Sequence, residues 1–216
     1  KEQDELREKI DILEDEIKGC KSVNFLGERE ELITLEKLFH QHTGMSLAKE
    51  LAYFNETKKR IAYTVDHVAN YTGLKDFGVY LTKMLEMDAF FLNEDRHTNN
   101  IAVIYDLDEK SYRFCPYFDM GLSLFADIKG DFPFTKSPED CRKAIVAKPF
   151  SRNFDEQLDA ANELYGSYLT FSANKEDMIK EISVYGHIYE KQVMDRIEGV
   201  LRYQADKYSY MIKAFK

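Results

Sequence analysis

Cysteine is scarce and unpaired in this sequence. Cys20, Cys115 and Cys141 are odd in number, widely spaced and form no Cys-x-x-Cys pair, which argues against a disulfide framework and for reduced thiols in a cytoplasmic protein. Histidine is thinly scattered, and His40-x-His42 has no third ligand near it, so a surface pair is expected there rather than a metal site. No run approaches the roughly 20 apolar residues of a membrane-spanning helix, so no membrane partner is expected. Internal repeats, low-complexity tracts and interdomain linkers are absent. No signal peptide is recognisable, and a start at Lys1 rather than Met favours a segment upstream of this sequence. Positive charge is in deficit as well. A formal net charge of -9 disfavours direct nucleic-acid contact and anionic membrane, although a local basic patch would override it.

What is present suits one domain or one large lobe: 216 residues, 44% hydrophobic and 32% charged, can bury a core and remain soluble. Leu6, Ile10, Leu13 and Ile17 give residues 2–18 a narrow apolar stripe, with Gly19 as the stop. That helix lies against the body by one face or offers a short seam to a partner. Residues 20–26 have strand composition. Residues 1–28 are thus expected to form an N-terminal helix and a candidate hinge strand, and residues 29–216 one helical lobe.

Within that lobe, residues 30–40, 46–54, 57–71 and 76–92 read as helices divided by Gly44 and Gly73. The stretch 76–92 is apolar around much of its circumference and is expected to be the central buried helix. Residues 101–107 and 112–115 flank Asp108-Glu109-Lys110 as a strand–turn–strand hairpin, ended by Pro116. After a loop over 126–136, Ser137-Pro138-Glu139-Asp140 starts a helix. Residues 155–165, 174–185 and 187–215 are expected to be helical, the last with a break near Gly199. The expected fold class is mainly α (α+β), a helical lobe with one β-hairpin.

Chemistry concentrates in Asn93-Glu94-Asp95-Arg96-His97-Thr98-Asn99-Asn100 and, beyond the hairpin, Phe118-Asp119-Met120-Gly121. Phosphoryl transfer needs positioning and charge neutralisation more than covalent chemistry. One carboxylate must orient the acceptor hydroxyl, and magnesium wants hard oxygen ligands. Protein kinases place the base in a loop, a metal-binding Asn five residues later and a second Asp after a short hairpin. Asp95, Asn100 and Asp119 stand in that order and spacing, and Gly121 is expected to let the backbone turn sharply after Asp119. The combination is far more specific than any one of its pieces.

The order Asp-Arg-His-x-x-Asn, rather than His-Arg-Asp, resembles the HipA-like bacterial serine/threonine kinases, including the CtkA-like group, and more distantly the phosphoinositide kinases. The specific match covers residues 75–125, and Ala147-Lys148-Pro149-Phe150-Ser151 with the helices beyond it is similar to the C-terminal lobe of HipA-like proteins. The resemblance implies a protein-kinase-like C-terminal lobe, ATP and Mg2+ as cofactors, a protein substrate, and a toxin–antitoxin setting with an antitoxin as partner. By the same resemblance Asp95 is the catalytic base and Asn100 and Asp119 are magnesium ligands. His97, Asn100, Phe118, Asp119 and Gly121 line the nucleotide phosphates. His97 alternatively braces the loop as a buried histidine.

The sequence departs from that family upstream. Nothing before Asn93 contains a glycine-rich loop, and no lysine sits in an apolar strand pattern, Lys21 being the nearest candidate. The chain therefore reads as the large lobe of a kinase whose small lobe is absent from it or supplied by a partner, with residues 25–28 near the adenine. Two alternatives stay open: a non-catalytic interaction module built on a kinase lobe, and a lipid kinase using Lys129, Lys136, Arg142, Lys143 and Lys148.

Overall fold

The structure is a computed structural model that describes residues 22–213. The expected helix 2–18, its stop at Gly19, Cys20 and Lys21 lie outside the described residues, as do positions 214 and 215 of the last expected helix. In chain order the elements are β1 (Glu30–Thr34), α1 (Leu35–Thr43), α2 (Leu47–Leu51), α3 (Thr57–Thr72), α4 (Phe77–Phe91), β2 (Ala102–Asp106), β3 (Ser111–Phe114), α5 (Pro138–Ala144), α6 (Phe154–Tyr165), α7 (Lys175–Ser183) and α8 (Lys191–Lys207). The architecture is α+β. Among the described residues no helix is long and apolar enough to cross a membrane.

Helix α4 is apolar on nearly every side, so it can be stable only when surrounded, and it is. Phe77, Leu81, Met84 and Leu85 join a core with α1, α3 and the inner residues Ile33 and Val103 of β1 and β2. Further along, Ala89 and Phe90 enter a second core with Phe125, Phe132, Leu158 of α6 and Leu201 of α8. Helix α6 comes so close to the start of α4 that a Cβ at Gly78 would lie 2.5 Å from the Tyr165 ring. Helix α3 stops where Gly73 takes the left-handed conformation, φ 78°.

Glu86 is a carboxylate completely buried on this helix. Its Oε1 accepts from Ser167 Oγ at 2.7 Å and Tyr168 N at 2.9 Å, and its Oε2 accepts from Leu169 N at 2.7 Å. Those bonds hold the extended segment after α6. That segment continues to a parallel bridge between Phe171 and Ile212, near the end of the described chain.

The sheet differs from expectation. It has three antiparallel strands in the order β1-β2-β3, with Leu32 opposite Ile104 and Ile104 opposite Arg113. The expected helix 30–40 begins only at Leu35, because Thr34 caps it through a side-chain bond from Lys37 N while Glu30–Thr34 pairs with β2. The apolar spacing of Leu32, Leu35 and Leu38 suits a helix, but a partner strand some seventy positions away takes the first five residues. Residues 22–26, part of the expected strand 20–26, form no strand. The break expected near Gly199 is also absent, since α8 runs through it without interruption. His42 stacks on the ring of Tyr71 at 4.0 Å.

Replacing Glu86 by Ala removes the acceptor of three partly buried donors, which costs about 2 kcal/mol. Denaturant unfolding of Glu86→Ala is expected to show that loss, and a change under about 0.5 kcal/mol, the level of an ordinary surface substitution, would contradict it.

Candidate functional site

The loop is launched from the end of α4. Leu92 takes φ 54°, a left-handed conformation that costs a non-glycine residue about 1 kcal/mol, and its buried side chain sits in the second core. The carbonyls that the helix end leaves open are all taken. Asp88 O accepts from Asn93 N at 2.9 Å, and Phe91 O from Leu124 N at 2.9 Å. Gln204 Nε2 of α8 donates to Ala89 O at 2.7 Å and Phe90 O at 3.2 Å. The segment following Asp119 is thereby tied to the same helix end as the loop.

Arg96 organises what comes next. Its side chain is fully buried. Nε donates to Asp88 Oδ2 at 2.8 Å and Nη2 to Asp88 Oδ1 at 3.0 Å, the two-pronged geometry of a guanidinium on a carboxylate. Nη1 donates to Asn100 O at 2.7 Å and to Phe118 O at 3.0 Å. One nitrogen thus holds the end of the loop beside the residue that precedes Asp119. Burial raises the Asp88 carboxyl above its ordinary range, while Arg96 and the Asn93 amide, 2.8 Å from Oδ1, pull it back down. From the other side Thr98 Oγ1 donates to Glu36 of α1. Burial raises the Glu36 carboxyl, but hydrogen bonds from Thr98, Ala48, Ser46 and Leu47 outweigh it and leave the group below its ordinary range.

The Asp95 side chain is 27% exposed, with Oδ1 3.2 Å from Lys148 Nζ and Oδ2 3.8 Å from His97 Nε2. Lys148 lies between two anchors of the connector 145–153. Ala147 N donates to Arg152 O at 3.0 Å, and Phe150 N to Gln157 Oε1 at 3.0 Å. Asn100 Nδ2 donates to Asp95 O at 2.9 Å, which leaves Oδ1 free of protein hydrogen bonds among the described residues. Asp119 is exposed, and among the described residues nothing in the protein occupies its carboxylate. Phe118 packs on a small cluster of Ala102, Ile104 and Cys115, which Leu26 and Leu32 also join.

Two expectations are corrected here. The sharp turn belongs to Asp119 itself, φ 53°, and not to Gly121, whose backbone is outside the left-handed region and whose missing Cβ would meet open space. His97 is not a buried brace either. Its side chain is 43% exposed, although Nδ1 is shut away from solvent with no hydrogen-bond partner.

The donors suit magnesium. Among the described residues no three His, Cys, Asp or Glu side chains converge into a metal cluster. Asn100 Oδ1 and Asp119 are hard oxygens, and an ion that keeps several waters and takes phosphate oxygens needs only one or two protein carboxylates.

Sequence reading passed over Asp88, gave Arg96 and Glu94 no role beyond their place in the motif, and named Lys148 only in the 147–151 match and the lipid-kinase alternative. An acid inside a mostly apolar helix was the available signal for Asp88. Nothing in the sequence placed Lys148 beside Asp95, since only folding brings them together. Glu94 is pushed up to about 7 by burial first and then by the nearby Asp131, Asp127 and Asp95 carboxylates, against Lys148, which lowers it.

Asp88→Ala leaves a buried guanidinium without its carboxylate and is expected to lower unfolding free energy by about 4 kcal/mol, read by denaturant melts. A loss below about 1 kcal/mol would show that Arg96 does not depend on Asp88. For Glu94, the folded carboxyl at about 7 stands above its ordinary 4.5. Between those values the unfolded chain ionises first, so stability falls as pH rises and stays lowered above about 7. Glu94→Gln is therefore expected to gain stability over the wild type at pH 8 and not at pH 4. Equal differences in unfolding midpoint at both pH values would rule this out.

No family model matches the chain, and no curated protein matches it. Among solved structures, the chain is similar to the proinflammatory kinase CtkA of Helicobacter pylori. The likeness has a TM-score of 0.57 at 18% identity and covers 85% of this chain and 70% of that one. The two share a fold.

Proposed function

We propose that residues 29–216 form the large lobe of an ATP-dependent, HipA-like kinase acting on serine or threonine hydroxyls of a protein. The observation that carries this reading is the Arg96 clamp, which holds the 93–100 loop and the Phe118-Asp119 turn together and so supports reading Asp95, Asn100 and Asp119 as one site. In this reading Asp95 accepts or orients the proton of the acceptor hydroxyl. Lys148, 3.2 Å away, supplies positive charge where phosphate oxygens arrive. Asn100 Oδ1 and Asp119 would hold magnesium, which would supply positive charge to neutralise the nucleotide phosphates. His97, Phe118 and Gly121 border the phosphates, and the partly buried Leu26 and Leu32 offer an apolar surface for a base. A glycine-rich loop and strand lysine, from an upstream segment or a partner, would complete the cradle.

The lipid-kinase alternative is less well supported, because among the described residues Lys148 is the one of Lys129, Lys136, Arg142, Lys143 and Lys148 that pairs with Asp95. Lys148 meets Asp95, Lys143 meets Glu139, and Lys136 lies over Phe132.

Titration of the chain with ATP, with and without magnesium, tests the proposal. Binding is expected to require the metal and to be lost in Asp119→Ala and Asn100→Ala. Asp95→Asn should keep binding and lose transfer to protein by about 10²- to 10⁴-fold. Nucleotide binding indifferent to both magnesium and Asp119 would overturn the reading.

A further inference from the structure

The connector that brings Lys148 to Asp95 also walls a second cavity, of about 320 Å³, between α5, the start of α6 and the end of α8. Arg142, Lys143, Arg152 and Lys207 line it, and Asp155 is the one carboxylate among the lining residues. Four cations against one acid is a notable concentration in a chain of net charge -9. Asp155 offsets one of the four, because it accepts from Lys207 Nζ at 2.7 Å as well as from Tyr208 Oη at 2.7 Å, and Arg142, Lys143 and Arg152 remain in excess. Lys143 pairs with Glu139 at 2.6 Å in solvent, a contact worth little and easily exchanged.

The two arginines are different. Arg142 lies over the Tyr203 ring, 4.2 Å from its centroid, and its N–H groups have no acceptor among the described residues. Arg152 has no carboxylate partner among the described residues. The first N–H groups of α6 are not part of the cation set, since the Asn153 side chain already takes Asp155 N and Glu156 N.

We propose that this cavity binds a phosphate monoester, gripped by Arg142 and Arg152 with the Lys143 ammonium beside them. Planar guanidinium forks match phosphate oxygens in pairs. A phosphate monoester carries close to two negative charges at neutral pH, which suits this excess of cations better than a single carboxylate does. The volume leaves room for the group that bears the phosphate. Occupancy would join α5 to Arg152 and α8 across the connector, and so hold the segment that presents Lys148. The inference stands apart from the kinase reading, because none of these side chains belongs to the Asp95 site.

Inorganic phosphate and a short phosphoserine peptide are titrated into the full chain without magnesium, followed by calorimetry. Saturable binding is expected, weakened about tenfold or more by Arg142→Gln and by Arg152→Gln and unchanged by Lys148→Ala. Tighter binding of the peptide identifies a phosphorylated polypeptide as the source, and equal affinity identifies the free ion. Absence of saturable binding overturns the proposal. So does binding that survives both arginine substitutions, or that vanishes in Lys148→Ala and thereby belongs to the Asp95 site.

Discussion

A buried guanidinium is tolerable only when its charge is paired and its N–H groups are used, and Arg96 meets both conditions by recruiting three separate parts of the chain. Asp88 comes from the body of α4, Asn100 from the end of the loop, and Phe118 from the far side of the β2–β3 hairpin. The loop contains a single 3-10 turn, Thr98–Asn100, and the turn at Asp119 contains no regular structure, so neither is held in place unaided. Their mutual position follows from the need to satisfy one cation in a dry interior. The direction of dependence matters: α4 must be surrounded before Asp88 is buried, and Asp88 must be buried before the pairing has its full strength.

Around that clamp the polar groups sort by exposure. Those that hold the loop face inward: Asp88, Asn93 and the Asn100 amide nitrogen. Those available for chemistry face outward: the Asp95 carboxylate, Asn100 Oδ1 and Asp119. Asn100 joins the two sets, with its nitrogen spent on Asp95 O and its oxygen left over. Asp119 shares with Leu92, Lys110, Leu124 and Phe125 a left-handed backbone, a strained state for a residue with a Cβ. Electrostatics near Asp95 are tightly balanced. Glu94, Asp127 and Asp131 add negative charge and Lys148 opposes it, which is why burial alone does not account for the Glu94 carboxyl.

Legibility tracked locality. Helices α3 and α4 lay where their apolar patterns placed them, with Gly73 ending α3, because burial of one stripe, or of nearly the whole surface for α4, is encoded within a few turns. The hairpin was readable from its turn residues. Strand β1 was not, because its residues satisfy a helical spacing and become a strand only when β2 offers a ladder. The long helix α8 passes through Gly199 because packing of its apolar face outweighs the local cost of one glycine, about 1 kcal/mol.

The amino-acid sequence alone determined the order and spacing of Asp95, Asn100 and Asp119 and the helix that precedes them, since these are properties of neighbouring residues. Tertiary structure decided which charges meet. The buried Asp88–Arg96 pair, the approach of Lys148 to Asp95 and the assembly of cations around the second cavity each join residues from different elements, and only the closure of the two cores brings them within reach. The turn assigned to Gly121 passed to Asp119 for the same reason. Backbone conformation there answers to the carbonyl that Arg96 holds at Phe118, not to the freedom of the nearest glycine.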